Sequence, residues 1–286
     1  GCERDNGASC SGLAWLYSNN ISFLKTDAEQ LVLFEKACEL GDPTGCASIG
    51  TEHLWGENLV NRSADVAISR LKEGCESSES WACSHLGDLF LGKGQVKHPE
   101  DLKAAETWYL KGCRKEEGGS CRKLAHLYKE VSFSKTDEGR LALFEKACEL
   151  DDANGCANIG YVHLSSKDIP NRSADVAISR LKEGCEGTQP WACGQLGDLY
   201  RGLREIKHPE DLKAAETWYQ KGCREEDGTS CRQLAHLYED EPSFSKTDAD
   251  QLLLFEKACK LGDTNGCAGT GNKHLWGDDI PNRSAD

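Results

Sequence analysis

The chain has 286 residues with 34 basic and 48 acidic side chains, a formal charge of −14. That balance excludes the basic footprint of a nucleic-acid binder and a polybasic membrane-surface role. No apolar run approaches the roughly 18 residues needed to span a bilayer. The 38% hydrophobic content is enough for a core, which leaves 16 cysteines, 7 tryptophans and no methionine as the unusual features.

The cysteines are paced. They fall as Cys2 and Cys10, Cys38 and Cys46, Cys75 and Cys83, Cys113 and Cys121, Cys148 and Cys156, Cys185 and Cys193, Cys223 and Cys231, and Cys259 and Cys267. Every pair has seven residues between its members, and successive pairs start 35 to 38 residues apart. A fixed period in this range marks a repeat array that grows by adding units, not by enlarging one core. A larger period overlies it: residues 61–128 match 171–238 at 51 of 68 positions. The short repeats run over 7–41, 42–78, 79–116, 117–151, 152–188, 189–226, 227–262 and a partial 263–286, as one array over 1–286.

Each repeat reads as two helices. Leu102, Ala105, Trp108, Tyr109 and Gly112 fall on one face between Asp101 and Cys113, close to a 3.6-residue period. Thr26 with Glu29 makes a capping box for the helix over Leu31–Cys38, and Pro99 suits a first helical turn. A shorter helix follows each second cysteine, as over Cys121–Tyr128. The shorter helix is termed A and the longer B. Gly or Ala always precedes the first cysteine (Gly1, Ala37, Gly74, Gly112, Ala147, Gly184, Gly222, Ala258). Gly or Ala also always stands four residues after the second, and small residues at helical spacing let backbones approach. Phe34, Leu71, Tyr109, Phe144, Leu181, Tyr219 and Phe255 lie one turn before the first cysteine.

The spacing places the first cysteine at the end of helix B and the second at the start of the next helix A, across a turn of about five residues. In an antiparallel helix hairpin such positions approach within the reach of a disulfide. Each bridge, paired in chain order, would contribute roughly 2–3 kcal/mol. The rival reading is metal, with His126 five residues after Cys121. Structural zinc sites use cysteines two to four residues apart, and Trp15 and Gln195 stand where other repeats carry His126 and His85. No metal or cofactor is expected.

The runs Phe34-Glu35-Lys36-Ala37-Cys38 through Gly45-Cys46-Ala47-Ser48-Ile49-Gly50, and Leu86-Gly87-Asp88-Leu89-Phe90 followed by Lys103-Ala104-Ala105, resemble Sel1-like repeats. The resemblance is to the disulfide-stapled kind found in secreted cysteine-rich bacterial proteins such as the Helicobacter cysteine-rich proteins. It implies an all-α, right-handed TPR-like superhelix with a concave helix-A surface and a scaffold or protein-interaction role. The loops between helices A and B depart from the family pattern, with Gly92-Lys93-Gly94 in one repeat and longer polar segments elsewhere. A binding surface built on those loops is not transferable.

The resemblance extends to proteins linked to penicillin binding or β-lactamase activity, whose Ser-x-x-Lys element is matched at Ser22/Lys25, Ser132/Lys135 and Ser243/Lys246. Each lies in a loop before Thr-Asp, without the partner elements a serine β-lactamase needs, and reads as helix entry. Asp151/Asp152 and Asp278/Asp279 read as solvated turn residues. Trp81, Trp191, Trp108 and Trp218 recur at repeat positions and read mostly as inter-helix core, with an aromatic binding strip as the alternative.

Glycosylation sequons occur at Asn20, Asn61, Asn171 and Asn282. In the last three, Ser63, Ser173 and Ser284 also suit helix N-caps. Sixteen paired cysteines point to an oxidising compartment: secreted, extracellular or cell surface, with an intermembrane space as a weaker option. The chain starts and stops within a repeat, so a longer array of about 332 residues is expected. Head-to-tail self-association into a filament or surface fibre would follow from such ends. The leading expectation is a non-catalytic extracellular scaffold, the alternative an adaptor holding a protein or peptide in the concave groove.

Overall fold

The structure is a computed structural model that describes residues 2, 6–19, 26–57, 59–130, 133, 135–206 and 208–277. Among these residues it forms fifteen α-helices and no strand. The helices are α1 (Gly7–Asn19), α2 (Asp27–Glu39), α3 (Pro43–Trp55), α4 (Ala64–Glu76), α5 (Ser80–Phe90), α6 (Leu102–Arg114), α7 (Gly118–Leu127), α8 (Asp137–Glu149), α9 (Ala153–Ser165), α10 (Ala174–Glu186), α11 (Pro190–Tyr200), α12 (Leu212–Arg224), α13 (Gly228–Asp240), α14 (Asp248–Lys260) and α15 (Thr264–Trp276). Odd-numbered helices through α7 and from α9 onward are helices A, even-numbered ones helices B. The repeat solenoid divides into two compact units, one over 1–135 with 149–152 and one over 136–148 with 153–286.

From Cys38 onward, both cysteines of a pair lie inside helices, not at their edges. The first is the penultimate residue of its helix B, as Cys38 in α2 and Cys113 in α6; the second is the fourth residue of helix A, as Cys46 in α3 and Cys121 in α7. Eight disulfides join the pairs in chain order, with Cα–Cα separations of 4.5–5.0 Å. No cysteine is free.

The turn between stapled helices is three residues long, shorter than the sequence suggested. Gly41 N–H donates to the Cys38 carbonyl and Asp42 N–H to that of Ala37, which satisfies two helix-end acceptors. The middle residue takes a left-handed conformation at Gly41 (φ 80°) and Gly262 (φ 85°), but also at Glu116 (φ 60°), Asp151 (φ 61°) and Glu226 (φ 68°). Side chains bear a cost of roughly 1–2 kcal/mol there. Glu226→Gly is therefore expected to stabilise the protein by about 1 kcal/mol, read as a raised urea midpoint with unchanged slope.

Helix starts follow local chemistry. Thr26 and Thr247 close capping boxes with Glu29 and Asp250, and Ser63 and Ser173 accept from the Val66 and Val176 amides. Pro99 does not open a helix. The first turn begins at Leu102, because the Asp101 carboxylate accepts from the Lys103 and Ala104 amides and fixes the N-cap there.

The core of each hairpin is the bulky residue one turn before the first cysteine: Phe34, Leu71, Tyr109, Phe144, Leu181, Tyr219 and Phe255 are all buried. The small residue four after a second cysteine makes room for it from the neighbouring helix. A Cβ on Gly87 would lie 2.2 Å from the Tyr109 ring, and one on Gly197 2.4 Å from that of Tyr219.

One joint stores a pH response. Asp27 and Glu52 turn carboxylates toward the same point beside Gly56. Burial, and secondly the charge of Asp27, pushes the Glu52 carboxyl up to about 7. In the last repeat Lys273 replaces Glu52 and reaches Asp248 at 2.8 Å and Glu239 at 2.9 Å. The folded state thus holds the Glu52 proton more tightly than the unfolded one. Its contribution to stability is full below pH 4.5 and is lost as pH rises through about 7. Glu52→Gln is expected to flatten this slope, and Glu52→Lys to raise stability at neutral pH. Denaturant midpoints on either side of neutrality check both.

Candidate interaction surface

In the first unit, the helices A carry a cluster built across repeats. Trp55 ends α3, and Trp81 and His85 stand one turn apart on α5. The Trp55 and His85 rings are 6.4 Å apart at 68°, and those of Trp81 and His85 5.6 Å apart at 80°, both edge-to-face. Trp55 Nε1 donates to His85 Nδ1 at 3.2 Å, and Trp81 Nε1 to Glu79 at 2.6 Å. An accepting Nδ1 leaves the imidazole proton on Nε2. Burial, reinforced by the Lys123 ammonium and opposed by Asp88, lowers the His85 pKa to about 4, so the ring is neutral near pH 7.

Beside it, α7 supplies cations held by buried acids. Lys123 Nζ donates to Ser84 Oγ at 2.7 Å and to Asp88, which also accepts from Tyr109 Oη at 2.8 Å. Burial works against the Asp88 charge, but the Lys123 ammonium and the bonds from Lys123 and Tyr109 outweigh it and hold the carboxyl below its ordinary range. Arg122 Nε reaches both oxygens of Asp152 at 3.1 and 3.0 Å. Asp152 is thus an ion-pair partner, not a solvated turn residue; Asp151 beside it is exposed. A pocket of about 410 Å³ opens between Trp81, His85, Gly119, Arg122 and Asp152. A second, of about 360 Å³, lies between Lys93, Arg122, Lys123, His126 and Glu130. The two share Arg122 and Lys123 of α7, the first extending to α5 and the second to the loop after it.

The second unit presents different chemistry at the matching positions. Trp191 stands edge-to-face with Tyr161 at 6.4 Å and donates to Asn154 at 3.3 Å. Gln195 and Gln233 replace His85 and Lys123. Asp198 keeps the tyrosine bond, from Tyr219 at 2.8 Å, but its cation comes from Arg204 in the following loop at 2.6 Å.

The remaining sequence candidates fall apart spatially. Trp108 and Trp218 lie on helices B, half-buried against the cores, with Lys111 5.1 Å over Trp108 and Lys221 5.9 Å over Trp218. The Cys38, Cys46 and Glu73 side chains converge, as do Cys148, Cys156 and Glu183, but every one of those sulfurs belongs to a disulfide and is no thiolate ligand. Of the Ser-x-x-Lys elements, Lys135 and Lys246 lie over the Tyr128 and Tyr238 rings. Ser22, Lys25 and Ser132 lie outside the described residues, as do Asp278, Asp279, Asn20, Asn282 and Ser284. Asn61 and Asn171 are exposed in the turns before α4 and α10. Those turns are pinned by Arg62 on the Gly56 carbonyl and Arg172 on the His163 carbonyl at the end of α9, and by His53 and His163, whose rings accept from the Ser63 and Ser173 amides. No sequence signal identified the Trp55–His85 contact, because it joins positions 30 residues apart with no shared motif.

Comparison with known proteins agrees with this geometry. The Sel1 repeat family model matches residues 31–42, 82–116, 141–152, 192–227 and 252–263. Its two longest matches each cover one helix pair, α5–α6 and α11–α12. Cytochrome c oxidase assembly factor 7 of Xenopus tropicalis is 29% identical over 169 residues, which are 56% of this chain and 70% of that protein. Assembly factor 7A of Xenopus laevis is 27% identical over the same shares.

Among solved structures, a protective antigen of uropathogenic Escherichia coli strains with an SLR fold aligns over 96% of this chain, with a TM-score of 0.71 and 20% identity. The chain spans 58% of that antigen. A Sel1 repeat protein from Oxalobacter formigenes aligns over 77% of this chain and 88% of its own, with a TM-score of 0.64 and 18% identity. At such identities these likenesses speak for the fold alone. The chain is an α-solenoid that carries Sel1 repeats.

Proposed function

We propose that the protein is a non-catalytic adaptor that binds a protein or peptide partner across the helix-A face of α3, α5 and α7. The observation that carries this reading is the Trp55–His85–Trp81 cluster beside Lys123 and Arg122; the second unit keeps Trp191 and Arg232 but has Ser165, Gln195 and Gln233 in place of Trp55, His85 and Lys123. A structural filament subunit would do best with uniform faces, whereas a surface that reads one partner needs local identity. Aromatic anchors next to cations are the side chains that dominate binding energy. Eight disulfides favour an oxidising compartment, either secreted and extracellular or an intermembrane space. The assembly-factor names of the Xenopus relatives support a role in holding a partner while a complex forms. On the secretory route, Asn61 and Asn171 are the N-glycan acceptors, consistent with their exposed turns.

A photo-crosslinking residue placed at Trp55, with a second variant carrying it at the exposed Val32 on α2, tests the adaptor in extracts of the source cells. A discrete adduct from position 55 but not from 32 is the expected result. Equal labelling from both, or none from position 55, would remove the helix-A face as the binding surface.

A further inference from the structure

A second kind of pocket recurs in both units, between consecutive A–B loops and over the first turn of a helix B. In the first unit it has about 670 Å³ and is walled by Phe90, His98, Pro99 and Phe133, with Glu100 and Glu106 among its polar lining. In the second it has about 600 Å³ and is walled by Tyr200, His208, Pro209 and Phe244, with Glu210 at its rim. None of Trp55, Trp81 and His85 lines either pocket.

The walls are rigid in the same way. His98 stands edge-on to Phe90 at 5.0 Å, and His208 edge-on to Tyr200 at 4.9 Å. Each imidazole Nδ1 lies within hydrogen-bond distance of the next proline's carbonyl, at 2.7 and 2.8 Å. A carbonyl can only accept, so Nδ1 carries the proton and the ring is held against the wall.

What the pocket takes is indicated by what the chain itself places at its edge. Tyr128 packs on Phe133 at 5.6 Å and donates to Glu106 at 2.9 Å, and the Lys135 ammonium lies 5.3 Å over the Tyr128 ring. The second unit repeats this with Tyr238 on Phe244 at 5.6 Å, a 2.6 Å bond to Glu216, and Lys246 5.4 Å over Tyr238. In both places an aromatic pair backed by a glutamate already attracts a cation. The linings also hold more acid than base: Glu100, Asp101 and Glu106 against Lys103 and Lys135, and Glu210 and Asp211 against Lys213. The whole chain carries −14. Flat walls and a carboxylate rim match a guanidinium, which stacks on rings and forks onto carboxylates, better than a compact ammonium.

We propose that these paired loop pockets each bind an arginine side chain of a partner protein, at a surface distinct from the Trp55–His85–Trp81 cluster. The test uses the intact, oxidised chain, isotopically labelled and titrated with N-acetyl-arginine amide, with the citrulline analogue as an uncharged isostere. Saturable amide shifts at both pockets are expected with arginine and not with citrulline. Phe133→Ala should weaken the first set at least about fivefold and leave the second intact, and Phe244→Ala the reverse. Each variant's untouched pocket reports that the protein is folded. Glu100→Gln and Glu210→Gln, which alter only exposed rims, should weaken binding at their own pockets in the same one-sided way. Shifts that citrulline reproduces, that never saturate, or that persist in the Phe133→Ala, Phe244→Ala double variant would overturn the proposal. Because the probe never touches Trp55, its failure leaves the adaptor reading standing, and failure at Trp55 leaves this one.

Discussion

Gly87→Ala should destabilise the protein by about 3 kcal/mol, while Gly12→Ala should stabilise it by about 0.5–1 kcal/mol. Both residues lie in helices, so intrinsic propensity favours alanine at each. The difference is space. A Cβ on Gly12 would meet nothing within 4 Å, whereas one on Gly87 would lie 2.2, 2.4 and 2.7 Å from three atoms of the Tyr109 ring. That ring cannot step aside: Tyr109 is fully buried and its hydroxyl is held by Asp88. Gly197→Ala, against Tyr219, should behave as Gly87→Ala does. Chemical denaturation of the three variants settles the matter, and a Gly87→Ala protein as stable as the parent would mean that the helices are not in close contact there.

The same economy governs the stapled joint. The residue before the first cysteine faces the residue before the second, and one of them is always glycine. Ala37 faces Gly45, Ala147 faces Gly155 and Ala258 faces Gly266; where the first is Gly74, Gly112, Gly184 or Gly222, the second is Ala82, Ser120, Ala192 or Ser230. A Cβ on Gly45 would fall 2.5 Å from that of Ala37, and one on Gly112 2.8 Å from that of Ser120. Only one side chain fits between the backbones, and either helix can supply it.

The second large effect is expected at Asp88. Asp88→Ala should cost about 3 kcal/mol, because it leaves the Tyr109 hydroxyl without its acceptor and the half-buried Lys123 ammonium without its counter-charge, held by Ser84 alone. Tyr109→Phe, which removes one neutral donor and keeps the ion pair, should cost only about 1 kcal/mol. The network has a pH signature. Since the folded state holds Asp88 below its ordinary range, its contribution is present above the unfolded carboxylate pKa and is lost as pH falls through the lower folded value. Thermal unfolding of both variants across the acidic range measures the difference, and equal losses for the two would show that Lys123 finds another partner.

Much of this architecture could be read from residue spacing. The paired cysteines, the bulky residues from Phe34 to Phe255 and the capping residues Thr26, Ser63 and Ser173 are local signals that recur. Recurrence separates signal from noise in a single sequence. Glycine or alanine before the first cysteine is evident at each position taken singly, whereas the reciprocal choice eight residues on emerges only when the two positions are compared. Pro99 misled because proline suits a first helical turn, yet the Asp101 side chain has the better geometry for the cap. The Asp88–Tyr109–Lys123 network and the Trp55–His85 pair were not legible. Their members are 21, 35 and 30 residues apart, and although Asp88 and Tyr109 recur as Asp198 and Tyr219, no local spacing links them; only the stacking of neighbouring repeats brings them together. Asp198 makes the point: its cation moved from the Lys123 position to Arg204, and the acid survives with a partner from a different element.

Every joint of the array is closed by its own local disulfide, which sets the spacing at which the helix-A faces present their side chains. Proteolytic mapping of the non-reduced, alkylated protein tests this directly. Eight cystine peptides are predicted, each linking cysteines eight positions apart, with no alkylated thiol. A link between different joints, such as Cys46 to Cys75, or a cysteine that alkylates without reduction, would contradict it.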